Sequence, residues 1–174
     1  METTGKTQWK LDPAHSEIGF KVKHMMISTI TGNLNEFEAS VETDNADFKN
    51  ASFTFTANTD SVNTKNKDRD NHLKSADFFD AEKYPKISFK SKSYDGDTMI
   101  GDLTIKNVTK EIALDVSFNG IVEDQYQQTR AGFEVTGTVS RKDYGLTWNA
   151  LTEAGTIVVD DKIRLGIDLE FIKQ

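Results

Sequence analysis

The sequence predicts an all-β protein, an antiparallel β-barrel of about eight strands with one short helix. Three observations lead there. Apolar residues recur at every second position in eight separate runs, the pattern of strands with one buried face. Gly, Asp and Asn stand between several of those runs, where tight turns need residues that tolerate positive φ. A single stretch reads as helix, far too little to cover so many apolar faces, so the sheet must cover itself. A sandwich and a closed barrel both do this, and periodicity alone does not separate them; runs of about ten residues favour the barrel, because sandwich strands are usually shorter.

Ile18, Phe20, Val22 and His24 form the first apolar face, with Glu17, Lys21 and Lys23 opposite. Leu34, Phe37, Ala39 and Val41 form the second, and the three-residue step from 34 to 37 predicts a bulge that bends the strand. Ala51, Phe53, Phe55 and Ala57 alternate with Ser52, Thr54, Thr56 and Asn58; Ile87, Phe89 and Ser91 alternate with Ser88, Lys90 and Lys92. Asp95-Gly96-Asp97 reads as a hairpin loop leading to Met99, Gly101, Leu103 and Ile105. Lys106-Asn107-Val108-Thr109 reads as a second, with Asn107 in the place of a more usual Gly, followed by Ile112, Leu114, Val116 and Phe118. Asn119-Gly120 reads as a third hairpin, although Ile121 and Val122 extend the apolar pattern and would move the loop to residues 123–128. Ala131, Phe133, Val135, Gly137 and Val139, then Ile163, Leu165, Ile167, Leu169 and Phe171, complete the set.

Two stretches break the alternation. Residues 64–75 are polar and read as the short helix, with Asn63 or Thr64 as its N-cap and only Leu73, followed by Phe78 and Phe79, to dock it. Residues 141–161 are irregular and carry Trp148 and Leu151. These two segments are the candidate lids, since loops over a barrel mouth are where specificity usually resides.

Composition narrows the chemistry. At 174 residues the chain is sized for one domain, expected over residues 8–174 after a loosely ordered stretch at 1–7. The net charge is −7, which argues against nucleic acid as a partner, because phosphate binding needs clustered cations. Without cysteine there is no thiol nucleophile, disulfide, thiolate zinc site or iron–sulfur cluster. The first ten residues hold no apolar run, so neither a leader nor a membrane span is expected, and the chain as given is expected to be cytoplasmic, or periplasmic if a signal peptide has been trimmed.

A set of ordered motifs is more specific than any of these. Trp9-x-Leu11-Asp12-Pro13-x-His15-Ser16-x-Ile18-x-Phe20-x-Val22-x-His24, followed by Gly32, resembles the opening of the YceI-like polyisoprenoid-binding family. His72-Leu73-x-Ser75-x-Asp77-Phe78-Phe79-Asp80 and Tyr84-Pro85-x-Ile87-x-Phe89 resemble its central signature. Gly101-x-Leu103-Thr104-Ile105-Lys106, Thr109-Lys110, Gly120 and Arg141-x-Asp143-Tyr144-Gly145 continue in the family's order, so that the resemblance spans roughly residues 8–172. Leu34, where an aromatic is common, and Asn107, where Gly is common, depart from the pattern. The resemblance implies a lipocalin-like barrel whose apolar lumen holds a long-chain isoprenoid or similar amphiphile, a quinone-like one included, for carriage, storage or sequestration without chemistry. It implies no further cofactor, and a homodimer is left open.

The candidate ligand contacts are Phe20, Val22, His24, Phe53, Phe55, Phe78, Phe79, Phe89, Leu103, Phe118, Phe133, Arg141, Trp148 and Leu151. From parity alone the aromatics among them either line a tunnel or fill a core, and the small inward residues Ala51, Ala57, Gly101, Ala131 and Gly137 either leave room or fit a taper. His24 lies on the apolar face, as a structural residue or as a donor to a ligand's head group. Arg141 beside Asp143 reads as an ion pair closing a barrel end or as a head-group contact. Asp12, His15 and Ser16 hold the letters of a nucleophilic triad without an elbow motif, and His72 reads as structural or exposed. Asn66-x-Asp68-x-Asp70 begins like a calcium loop but lacks the glycine at its sixth position and the glutamate at its twelfth, and His72 adds too few ligands for zinc, so no metal site is expected. Asn50 and Asn107 head sequons that only a secretory route would use. Two other readings stay open: an enzyme acting through His15 or His24 inside the barrel, and a stress-linked interaction module with a plugged core.

Overall fold

The alternating runs become strands of a closed sheet because each dry face has only the other strands to pack against. The computed structural model describes residues 6–148 and 159–174. Its strands are β1 (Thr7–Leu11), β2 (Glu17–His24), β3 (Ser28–Leu34), β4 (Phe37–Thr43), β5 (Ser52–Asn58), β6 (Val62–Asn63), β7 (Lys86–Tyr94), β8 (Thr98–Ile105), β9 (Val108–Glu123), β10 (Thr129–Ser140) and β11 (Val159–Lys173); the helix α1 is Lys67–Lys74. Strands run in the order β1-β4-β5-β7-β8-β9-β10-β11, and β1 pairs with β11 to close the ring. β2 lies along the same flank of β11 as β1, β3 pairs with β2, and β6 pairs with β3. The molecule is therefore an eight-stranded antiparallel β-barrel in which three of the eight walls are broken midway, β1/β2, β4/β3 and β5/β6.

The first two breaks have local causes. Pro13 has no N–H for a ladder, and residues 13–15 turn as a 3₁₀ helix whose first N–H groups are met by the Asp12 side chain, which accepts from the Ala14 N–H at 3.1 Å. The Ser16 hydroxyl donates to the Asp12 carbonyl at 2.8 Å and accepts from the Glu170 N–H at 3.0 Å, stitching the break to β11. The bulge expected between Leu34 and Phe37 is a complete interruption, because the Asn35 N–H turns away to the Ser61 carbonyl and the Glu36 carbonyl accepts from the Asn58 N–H.

Arg130 locks the same region from outside. Its Nη1 donates to Asp12 at 2.7 Å and to Glu170 at 2.6 Å, while Nε donates to Asp124 at 2.7 Å. Three carboxylates hold the guanidinium firmly protonated. Arg130, and for Asp12 also His15, in turn draws the carboxyls of Asp12 and Asp124 below the usual range.

One end of the barrel is filled by rings. The loop between β4 and β5 drops Phe48 inward with a left-handed φ of 63°, a backbone that a bulky side chain rarely adopts. Its ring is 0% exposed and sits 5.0 Å from Trp9, 5.2 Å from Phe118 and 5.1 Å from Phe133, centroid to centroid. Phe53, Tyr94 and Phe171 complete this plug edge-to-face. The plug occupies the end that holds the β7–β8 and β9–β10 hairpins; the opposite end holds the β2–β3 and β8–β9 hairpins, α1 and the connection that follows β10.

Several sequence expectations change here. β9 runs straight through Asn119-Gly120, which is a bulge and not a hairpin: Phe118 pairs with Phe133 and Gly120 with Gly132, leaving Asn119 as the extra residue, and Gly120 takes the positive φ of 110° that the kink requires. The loop itself closes where the Asp124 N–H meets the Gln128 carbonyl, as the continued apolar pattern suggested. In the β8–β9 hairpin the left-handed residue is Lys106, at φ 58°, and not Asn107. The helix starts later than expected, capped by the Asn66 side chain accepting from the Arg69 N–H at 2.9 Å. The inward glycines do not leave room either. Phe20 lies across Gly32 and Phe89 across Gly101, where an added Cβ would stand 2.5 Å from the Phe89 ring and 2.6 Å from the Lys90 carbonyl. Gly32 and Gly101 are seats for rings, and Gly137 is a seat for Leu114, whose Cδ2 would stand 2.5 Å from an added Cβ.

Replacing Phe48 with Ala leaves a hole at the centre of the plug and is expected to destabilise the fold by about 3–5 kcal/mol, read from chemical denaturation. The depressed carboxyls set the acid limb of stability. Asp12 and Asp124 contribute in full above the unfolded carboxylate value of about 3.9 and lose that contribution as pH falls toward their lower folded values. Arg130→Gln is expected to flatten the decline in melting temperature below pH 5; an acid limb as steep as the parent's would contradict this assignment.

Candidate ligand-binding site

Beyond the plug the barrel is hollow. A cavity of about 380 Å³ extends from Phe53, Phe133 and Phe171 toward the opposite end, within the usual range for small-molecule sites. Its wall is built by strand parity. β2 contributes Ile18, Phe20, Val22 and His24; β5 contributes Phe55; β7 and β8 contribute Phe89 and Leu103; β11 presents Ile163 to Phe171 at every second residue. A period of two is enough to place these side chains.

The rim comes from the irregular segments. Phe78 and Phe79, which follow α1, and Trp148, which follows β10, line the cavity and meet across it, with the Phe78 and Trp148 rings 5.5 Å apart. His72 of α1 joins them. Its ring stands edge-on to Trp148 at 4.6 Å and to Phe78 at 5.1 Å, and its Nε2 lies 2.9 Å from an Asp77 carboxylate oxygen. Thr64 and Arg69 also line this rim. The Thr64 hydroxyl donates to Asp70 and accepts from Arg69 Nε, and Arg69 Nη2 donates to the Thr64 carbonyl at 2.7 Å.

Arg141 is the deepest cation, only 3% exposed. The expected ion pair is not what holds it. Among the described residues its partners are backbone carbonyls: Nε donates to Asp160, Nη1 to Leu146 and Trp148, and Nη2 to Val159, all between 2.7 and 3.1 Å. Burial pulls its pKa down, partly offset by the charges of Asp161 and Asp160. A planar fork suits this task, reaching carbonyls on two sides of one plane. Nearby, Tyr144 is buried with its hydroxyl unpartnered among the described residues, and burial pushes its pKa up to about 12.

The sequence-predicted contacts therefore divide. Phe20, Val22, His24, Phe53, Phe55, Phe78, Phe79, Phe89, Leu103, Phe133, Arg141 and Trp148 lie on the cavity wall. Phe118 does not; its ring stacks on Phe133 at 5.1 Å inside the plug, because parity assigns a face but not a height along the barrel. Leu151 lies outside the described residues. The triad letters are spent on structure, with His15 Nδ1 2.7 Å from Asp12 on the outer wall and Ser16 bonded to backbone. Thr64, Arg69 and His72 were missed as site residues. A polar stretch with one apolar residue looks like a solvated helix, and only the adjoining Phe78-Phe79 hinted that it folds over a cavity.

The ordered motifs imply a lipocalin-like barrel, the structure is a tube with one end plugged, its wall interrupted at Asp12-Pro13 and its rim made of the His72–Phe79 segment and the turn after β10, and the YceI-like domain family matches residues 9–171. The chain belongs to the YceI-like family. The UPF0312 protein SA2479 of Staphylococcus aureus is 39% identical to it over 166 residues, covering 95% of this chain and 97% of the relative. The solved YCEI protein of Campylobacter jejuni is 34% identical, with a TM-score of 0.73 over 100% of this chain and 99% of that one. A polyisoprenoid binding domain from Saccharophagus degradans shares the fold at a TM-score of 0.71 and 14% identity, covering 95% of this chain and 98% of its own. Among the described residues no helix is long and apolar enough to cross a membrane.

Arg141→Lys replaces four directed bonds by a single ammonium. At about 1 kcal/mol for each bond not remade, the variant is expected to lose about 2–3 kcal/mol of stability by denaturant titration, and a loss under 0.5 kcal/mol would contradict the role given to the fork.

Proposed function

We propose that the barrel binds a single-chain amphiphile, an isoprenoid or similar lipid, with its hydrocarbon in the cavity and its polar head at the rim. The observation that carries this reading is the distribution of polarity. Apart from Thr54 the wall below the rim is apolar, while the cavity's other polar side chains are His24, Thr64, Arg69, His72 and Arg141, with no carboxylate among the described lining residues. Each CH₂ removed from water gains about 0.8 kcal/mol, a driving force that needs no reactive group. Guanidinium and imidazole donors suit a head that is negatively charged or rich in acceptors. The polyisoprenoid binding domain of the Saccharophagus degradans structure supports a lipid as the class of ligand.

An enzyme working through His15 or His24 draws less support. His15 stands on the outer wall, beside Asp12, and His24 has no described partner poised to activate it. A plugged interaction module would need a filled interior, whereas the rings close one end and leave a cavity of about 380 Å³ beyond it.

Solvent extraction of the purified protein followed by mass spectrometry is expected to yield a long-chain amphiphile, and the emptied protein to bind a fluorescent fatty-acid probe. Leu103→Trp, which fills the lumen, is expected to weaken probe binding at least tenfold while leaving the far-ultraviolet circular dichroism unchanged. A fatty carboxylate should bind about tenfold more tightly than a primary amine of equal chain length. A clean extract together with no probe binding would sink the proposal.

A further inference from the structure

At the open end the β2–β3 hairpin carries Met25, Met26 and Ile27 in its turn, with His24 and Ser28 paired beneath it. Ile27 is 81% and Met26 56% exposed. Both methionines are left-handed, at φ 52° and 60°, in a turn where Asn or Gly is the relaxed choice. The turn thus holds apolar side chains in solvent on a backbone that disfavours them, next to a cavity whose wall includes His24 and Ile30 from the two arms of the same hairpin. From the proposed function, on which this step rests, the cavity's ligand is a lipid, and a lipid's reservoir is a bilayer. We infer that the Met25–Ile27 turn is a docking tip that dips into a phospholipid surface and brings the barrel mouth against it, so that the chain passes between bilayer and lumen without crossing water.

The chemistry of the tip selects the kind of surface. The chain's net charge is −7, so the approach to an anionic membrane is opposed over the molecule as a whole, and attachment must come from burying Met and Ile in the interfacial zone. Exposed Lys23, on the outer face of β2 and paired across the hairpin with Thr29, is the nearest flanking cation in sequence and suits a lipid phosphate. A zwitterionic bilayer is therefore sufficient, and contact is expected to be brief, visible as a rate and not as permanent attachment. Ile121 and Val122 are also exposed, but they lie on β9 toward the plugged end and provide the control.

The test uses the whole, delipidated protein and a fluorescent fatty-acid probe presented either on cyclodextrin or in phosphatidylcholine vesicles. A double variant, Met26→Asn with Ile27→Ser, keeps a residue that tolerates the left-handed turn. It is expected to take the probe from cyclodextrin as the parent does and from vesicles at least tenfold more slowly, whereas Val122→Ser at the far end should leave both rates unchanged. Separately, the emission of Ile27→Trp is expected to shift to the blue on adding the vesicles and to be quenched by brominated phosphatidylcholine. Equal vesicle rates for parent and double variant, or a tryptophan that stays wet, would overturn the docking tip while uptake from cyclodextrin leaves the cavity reading standing. A blue shift that grows with protein concentration alone would overturn it in favour of a second copy. A tryptophan that enters the bilayer in a protein that takes no probe from either source would keep the tip and remove the lipid cavity.

Discussion

A closed eight-stranded sheet encloses a fixed cross-section, and everything about this molecule follows from how far along that tube the side chains fill it. The controlling contact is the ring of Phe48, dropped in from a loop and held among Trp9, Phe118 and Phe133. Where the rings stop, an apolar void begins. The positive φ at Phe48 is a local cost that the surrounding aromatic contacts offset, and without that plug the tube would have two open ends instead of a floor and a mouth.

The floor and the mouth use different chemistry. At the floor, aromatic edges meet aromatic faces, and the outside is tied by Arg130 to three carboxylates from distant parts of the chain. At the mouth, the buried guanidinium of Arg141 gathers carbonyls from the turn after β10 and the start of β11. The first cation is paired with charge and sits near the surface, so acid weakens it through its partners. The second is paired with dipoles and buried, so it holds its frame over a far wider pH range.

The strand architecture was legible because a period of two leaves an unmistakable mark; the residues from Ile18 to His24 and from Ile163 to Phe171 face inward as their parity predicts. What parity does not carry is position along the tube, which is why Phe118 was assigned to the ligand and belongs to the plug. Glycine meant three different things. At Gly96 it marks a hairpin, at Gly120 a bulge inside a continuous strand, and at Gly101 a seat for Phe89. The dipeptide Asn119-Gly120 misleads for that reason, since its tertiary partner across the sheet, Gly132, is what decides between turn and bulge. The rim residues Thr64, Arg69 and His72 were the least visible, because no periodicity announces the bonds of Thr64 with Arg69 and Asp70 around the start of the helix, or the long-range contact of His72 with Trp148.

β11 is paired on both flanks, with β10 along one side and with β1 and β2 along the other. Among the described strands of the barrel it is also the last to be synthesised. Until it is in place, the sheet has two raw edges and no enclosed interior, and its greasy lining is open to water or a chaperone. Pairing of the first described strand with the last is highly non-local, which slows closure and lengthens that exposure. The seam that makes the vessel watertight is the same one that makes the unfinished polypeptide vulnerable.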